Sequence, residues 1–239
     1  MSGMVIAFII IGLWASNLVS LLSIDVSKFQ VLWIGYAILL QTFLYTGLFI
    51  TAHDAMHGVV CAKNLKINHL IGSVAVTLYG LFLYRNLLKK HWFHHRYPAS
   101  DRDPDFHGDR HQNFFIWYFQ FLKIYFSWTQ LIGLIFVFEI LSYGLRISEI
   151  NLTLFWVIPS ILSSLQLFYF GTFLPHKEPK KGYTNLHRTL STPLPVFLSF
   201  ITCYHFGYHE EHHEYPRVPW WQLPEIYQRN TNTAPISDI

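Results

Sequence analysis

Apolar residues run almost unbroken through four stretches of the chain, roughly 4–24, 31–51, 128–145 and 152–174. A helix that crosses a bilayer needs about 20 mostly apolar residues, so each stretch predicts a transmembrane helix. The polar links 25–28 and 146–151 are too short for domains. The four helices should therefore pair into two hairpins, which makes the fold class all-α and integral to the membrane. A fifth stretch, 67–84, is also long enough to cross. A single crossing there would put the histidines before and after it on opposite faces. A re-entrant or interface-lying segment is expected instead, bent at Gly72 or Gly80. Such backbone is tolerated only where protein or water shields it. Residues 114–126 are aromatic and interrupted by Lys123, which predicts an interfacial helix. Residues 195–206 are too short to span. The pattern predicts one domain over 1–227 and a polar, disordered tail over 228–239.

Charge sharpens this topology. Only 13% of residues are charged, about half the share of a soluble domain. Of the 17 Lys and Arg, only Lys28 and Arg146 fall on the side away from the histidines. Positive charge accumulates on cytoplasmic loops. Both termini and a histidine-rich cap are therefore expected in the cytoplasm. No Lys or Arg precedes Lys28, so the first stretch reads as a retained span rather than a signal peptide. The net charge of +3 and the lack of a basic run exclude a nucleic-acid binder. Cys61 and Cys203 are too few for a disulfide framework or a four-cysteine metal site.

The 14 histidines are the anomaly, and they cluster. HDAMH puts His53 and His57 at i and i+4, on one face of a helix leaving the bilayer. HWFHH puts His91, His94 and His95 on one face in the same way. HFGYHEEHH sets His205, His209, His212 and His213 along a two-turn stripe, with Glu210 and Glu211 off it. Those carboxylates either accept hydrogen bonds from ligand N–H groups or are solvated. His176 stands alone in FLPHKEP, where a fourth span should end. His69, His107, His111 and His187 lack such spacing and read as surface or supporting residues. A single HxxxH pair is common at exposed helix ends. Three clusters at membrane exits on one side point to a functional site.

His53, His57, His91, His94, His95, His176, His209, His212 and His213 are too many ligands for one zinc, which takes three or four. They suit two metals with an open position each, with His205 as a tenth ligand or a supporting partner. Imidazole suits zinc, copper, iron and nickel. HExxH is absent, as is the Glu-x-x-His of soluble di-iron bundles. Two redox-active irons beside an apolar bundle imply O2 activation toward a C–H bond. The chain has no flavin, nicotinamide or haem motif, so electrons must come from an external donor. In DRDPD, Asp101, Asp103 and Asp105 either form a solvated turn or orient ligand histidines. Trp220 and Trp221 are expected to anchor the bilayer interface.

HDAMH, HWFHHRYPASDRDPDFH, FLPHKEP and YHFGYHEEHHEYPRVPWWQLPEIY together resemble the bacterial and cyanobacterial β-carotene ketolases. These belong to the membrane fatty-acid desaturase and hydroxylase superfamily. The resemblance covers about 51–227, and DPDFH and FLPH carry its ketolase character. It implies a non-haem di-iron, O2-dependent oxygenase acting on ring C4 of β-carotene, giving echinenone and then canthaxanthin. It also implies that the box histidines and His176 ligate the irons. A ferredoxin-type protein would be the reductant. A carotenoid hydroxylase and an acyl desaturase share the boxes, although HxxxH is shorter than the HxxxxH of many desaturases. A histidine-rich metal transporter is the reading from another class, and it would place ligands nearer the bilayer midplane.

Overall fold

The computed structural model describes residues 2–107 and 113–233, so His111 lies outside the described residues. No strand occurs among them. The main helices are α1 (Gly3–Leu22), α2 (Val31–Met56), α3 (Leu65–Gly80), α4 (Tyr84–Arg96) and α5 (Phe114–Tyr125). They continue as α6 (Trp128–Gly144), α7 (Glu149–His176), α8 (Val196–Cys203), α9 (His209–Glu214) and α10 (Leu223–Thr233). Helices α1, α2 and α7 are long and apolar enough to cross a membrane. Val31 and Leu32 are more than 80% exposed, the pattern of side chains that face lipid rather than protein.

Two bent pairs complete the wall. Helices α3 and α4 meet at 101°, and α5 and α6 at 84°. The first bend lies just after Gly80, where Leu81 takes a left-handed conformation (φ 57°). Gly72 is not a bend: it sits mid-helix, where an added Cβ would meet Tyr84 and Ala55 at 2.5 and 2.7 Å. The helix beginning at Phe114 stops at Tyr125, and a Ser127–Gln130 capping box starts the next one. The two elbows are tied together. Gln130 Nε2 donates to Gly80 C=O at 2.8 Å, and Lys90 Nζ donates to Ile124 C=O.

Helix α2 is the central element, packed against α1, α3 and α7. Nearly every residue from Leu44 to Met56 is buried. Several polar groups inside this packing are paired, although Trp14 Nε1, Gln41 Nε2 and Tyr45 Oη are not. Thr46 Oγ1 meets Ser163 Oγ at 2.9 Å and Gln166 Oε1 at 2.6 Å. Asn17 Nδ2 donates to Gln41 Oε1 at 2.6 Å. Asn151 Nδ2 reaches the carbonyls of Leu21 (3.0 Å) and Ile24 (2.8 Å), tying the start of α7 to the end of α1.

Helix α7 carries π-turns at Thr153–Val157 and Tyr169–Phe173, just before Pro159 and Pro175. Proline has no N–H and its ring clashes with the carbonyl four residues back. A widened turn accommodates both defects without ending the helix. At the other end of the chain, α10 runs past Tyr227 to Thr233, beyond the expected start of the tail. Its first residue, Leu223, is buried, and Tyr227 stacks on Tyr208 at 4.2 Å.

Replacing Asn151 with Ala removes the donor that serves one buried and one part-buried carbonyl. The expected loss is about 1–3 kcal/mol, read as a lower Tm of the detergent-solubilised protein.

Candidate metal centre

The histidines arrive from four directions. His53 and His57 end α2, His91, His94 and His95 end α4, and His176 ends α7. His209, His212 and His213 lie on the short helix α9. The sequence favours helix ends here because α2 stops at His57 before Gly58 (φ 77°), and Pro175 seats His176 in the last turn of α7.

The rings sort into two groups. His53, His57, His91, His95 and His212 form one; His94, His176, His209 and His213 form the other. Within each group one donor nitrogen per ring lies within 4.8 Å of all the others. A metal about 2.1 Å from each nitrogen separates opposite donors by about 4.2 Å, so each group has the dimensions of a coordination shell. The nitrogens face one another in pairs. Nε2–Nε2 distances are 2.6 Å for His57 and His91, and 3.0 Å for His94 and His213. They are 3.0 Å for His95 and His212, and 3.2 Å for His209 and His213. His53 leaves both ring nitrogens without a protein partner, and His176 leaves Nε2.

Burial drives the His57 pKa down to about 3, with the His94 charge adding to it. Such rings are neutral and offer lone pairs, as metal ligands must. His94 differs. Burial alone would lower its pKa, but the Asp103 and Asp105 carboxylates outweigh that and push it up to about 9. A positive charge at this ring is therefore stabilised, and a cation at Nε2 satisfies the same demand. Donor set, spacing and orphaned nitrogens all fit a pair of first-row metals.

The surrounding residues divide the sequence expectations. Asp103 accepts from His94 Nδ1 at 2.9 Å, fixing the tautomer that leaves Nε2 free. It also accepts from the backbone N–H of Ala99 and Asp105, so the turn and the ring share one anchor. Asp105 lies 3.6 Å from His94 Nδ1 and accepts from Tyr125 Oη. Asp101 is exposed. The glutamates do not hold ligand rings: Glu210 accepts from Asn185 at 3.0 Å and Glu211 from Ser191. They fasten the 185–191 loop over α9.

His205 is not on the stripe with His209. Tyr204 and His205 are both left-handed (φ 49° and 61°), so the chain turns between α8 and α9. His205 stacks on Tyr208 and belongs to neither ring group. Trp220 does not face lipid alone: its ring stacks on Phe200 at 5.9 Å, and its backbone N–H donates to Asp54 Oδ2 at 3.3 Å. Of the remaining histidines, His69 pairs with Tyr84 Oη at 3.1 Å, and the His187 ring lies 5.9 Å from His213. His107 falls in neither group.

Sequence reasoning missed Asp54. It is buried, 3.7 Å from His53 Nδ1, and braces the first box against the 219–222 turn. Its position inside HDAMH was the available signal.

An apolar pocket opens onto both ring groups. Its walls include His53, His91, His94 and His209, together with Phe49, Tyr79, Phe121, Tyr125 and Phe126. Phe206 packs against Gly171, where a Cβ would lie 2.2 Å from the ring, and against His53 and His209 at 4.7 and 5.1 Å. A buried apolar cavity bordered by paired metal shells suits oxidation of a hydrocarbon shielded from water.

The fatty acid desaturase family model matches residues 29–151 and 140–238. The "Beta-carotene ketolase" of Paracoccus sp. (strain PC1) is 42% identical over 77% of this chain and 74% of its own length. The "Zeaxanthin 4-ketolase" of Chlamydomonas reinhardtii is 38% identical over 95% of this chain and 54% of its own length. The "Beta-carotene 4-ketolase 3" of Haematococcus lacustris is 40% identical over 82% and 62%. The chain thus spans little more than half of the algal proteins. It belongs to the fatty acid desaturase family, within the branch that holds these ketolases.

Asp103→Asn removes the charge that orients His94. Metal affinity should fall 10–100-fold, measured as metal content after dialysis against a graded chelator, while Asp101→Asn should match wild type.

Proposed function

We propose that the chain is a membrane carotenoid ketolase that converts the C4 methylene of a β-ionone ring to a ketone. The observation that carries this reading is the apolar pocket bordered by two groups of clustered, mostly buried histidines, in a chain 42% identical to a β-carotene ketolase. Two non-haem irons fit the two groups. When bound, they would supply the one-electron redox chemistry that turns O2 on the allylic C–H bond at C4.

The protein's own residues do the rest. His53, His57, His91, His95 and His212 hold one iron; His94, His176, His209 and His213 hold the other. Asp103 fixes the His94 ring. Phe49, Tyr79, Phe121 and Phe126 take up the apolar ring end and exclude water from it. Each of two hydroxylations consumes one O2, two electrons and two protons, inserts one oxygen into a C–H bond and releases one water. The resulting geminal diol loses water to leave the ketone. Echinenone and then canthaxanthin follow from β-carotene. Nothing in the chain stores electrons, so a small ferredoxin-type donor supplies them.

The topology belongs to the same proposal. Helices α1, α2, α6 and α7 cross the bilayer as two hairpins, and α3–α4 enters and returns. Lys28 and Arg146 mark the far side, with both termini and the metal centre in the cytoplasm.

Expression in a β-carotene-accumulating bacterium with a working electron donor should yield echinenone and canthaxanthin by HPLC. His212→Ala should yield neither. Unchanged β-carotene from a membrane-inserted, iron-loaded wild-type protein would sink the ketolase assignment. Hydroxylated carotenoid alone would reassign it as a hydroxylase. For topology, a C-terminal alkaline phosphatase fusion should be inactive and a C-terminal fluorescent protein bright; the opposite pair would invert the orientation.

A further inference from the structure

Four polar side chains beside the metal ligands face the apolar pocket: Tyr79, Asp105, Ser164 and Thr172. Two are already engaged: Asp105 accepts from Tyr125 Oη, and Ser164 is paired with Tyr118 Oη. Tyr79 packs its ring against Tyr45 and Phe49. Thr172 Oγ1 has no partner among the described residues.

That vacancy has a backbone cause. A buried threonine in a helix normally returns its hydroxyl to the carbonyl four residues back. Thr42 bonds Ile38 C=O at 2.8 Å, Thr46 bonds Thr42 C=O at 3.1 Å and Thr51 bonds Gly47 C=O at 2.8 Å. Among the described residues, Thr172 is the only buried helical threonine that makes no such bond. It lies in the Tyr169–Phe173 π-turn forced by Pro175. Thr172 is 5% exposed overall and lines the pocket, so an apolar substrate entering there displaces whatever water serves the hydroxyl. Burying a hydroxyl unpaired is costly, and a ligand group that pairs with it gains accordingly.

We propose that Thr172 is a specificity residue whose hydroxyl hydrogen-bonds a secondary alcohol on the substrate ring. This rests on the ketolase reading, which supplies two sources of such an alcohol. One is the half-oxidised ring itself, which carries a hydroxyl at C4 between the two oxygenations. The other is a ring that arrives already hydroxylated at C3, as in zeaxanthin. In either case the pocket is otherwise apolar, and a ring alcohol there would lose its water without replacement. Thr172 retains the alcohol in place. For the C4 alcohol, that retention commits the ring to the second oxidation.

The test compares wild type, Thr172→Val and Thr172→Ser. Valine keeps the shape and removes the hydroxyl; serine restores it. Thr172→Val breaks no internal hydrogen bond, so it should melt no lower than wild type, whereas Thr46→Val should melt lower. In the first arm, β-carotene is turned over and the ketone-to-alcohol product ratio is read. In the second, the affinities of metal-stripped protein for zeaxanthin and β-carotene are compared. Thr172→Val should shift at least one ratio about tenfold against the alcohol, the factor one net hydrogen bond carries, and Thr172→Ser should restore it. A shift in the first arm identifies the C4 alcohol, and one in the second the C3 alcohol. Both ratios unchanged in folded Thr172→Val would overturn the proposal. If wild type makes no ketone, the ketolase reading fails, and the binding arm, which needs no turnover, decides the role of Thr172 by itself.

Discussion

Nine imidazoles, seven buried and two half-buried, that face one another without enough acceptors are the constraint on which the molecule turns. Each neutral ring carries one donor and one lone pair, yet the close contacts are between nitrogens of the same kind, Nε2 to Nε2. Protonating the rings would bury like charges together. Leaving them neutral strands lone pairs in a dry interior. Cations at the two foci resolve both problems at once. The helix bundle can then be seen as the frame that brings four separate chain segments to one depth and holds their rings inward against repulsion.

The frame meets that demand by fixing helix ends rather than helix middles. The last turns of α2, α4 and α7 all deliver ligating rings, and each is anchored from outside the site. Trp220 braces the end of α2 through Asp54, Asp103 braces α4 through His94, and Arg188 C=O receives His176 Nδ1 at 3.3 Å. These outer bonds use the nitrogen or backbone on the far side of each segment. They orient the ring without competing for the atom that faces the centre. Glu210 and Glu211 act one step further out, holding the loop that carries Asn185 and Ser191.

Much of this was legible in the sequence because helical spacing is a direct map of which rings share a face. His53 with His57, and His91 with His95, come together for that reason, while His94 from the same helix joins the second group. Hydropathy likewise located the long helices. It is blind to direction, and so it could not give the 101° and 84° elbows. The stripe reading failed at His205 because two consecutive left-handed residues, neither of them glycine, interrupt the helix. The bond between Trp220 and Asp54 escaped notice because it spans 166 positions. No local pattern records a pairing of that range.

The bond from Gln130 to Gly80 has a further consequence for how this architecture can vary. It pins the elbow from which α4 departs, so the distance along α4 to His91 is fixed in register. One residue inserted between Tyr84 and His91 would turn the rest of α4 by about 100° and advance it about 1.5 Å. His91, His94 and His95 would then sweep away from both foci together. Divergence in chain length should therefore collect in the segments after Arg96 and before α8, while the short stretch between elbow and histidines behaves as a ruler that evolution can repaint but not recut.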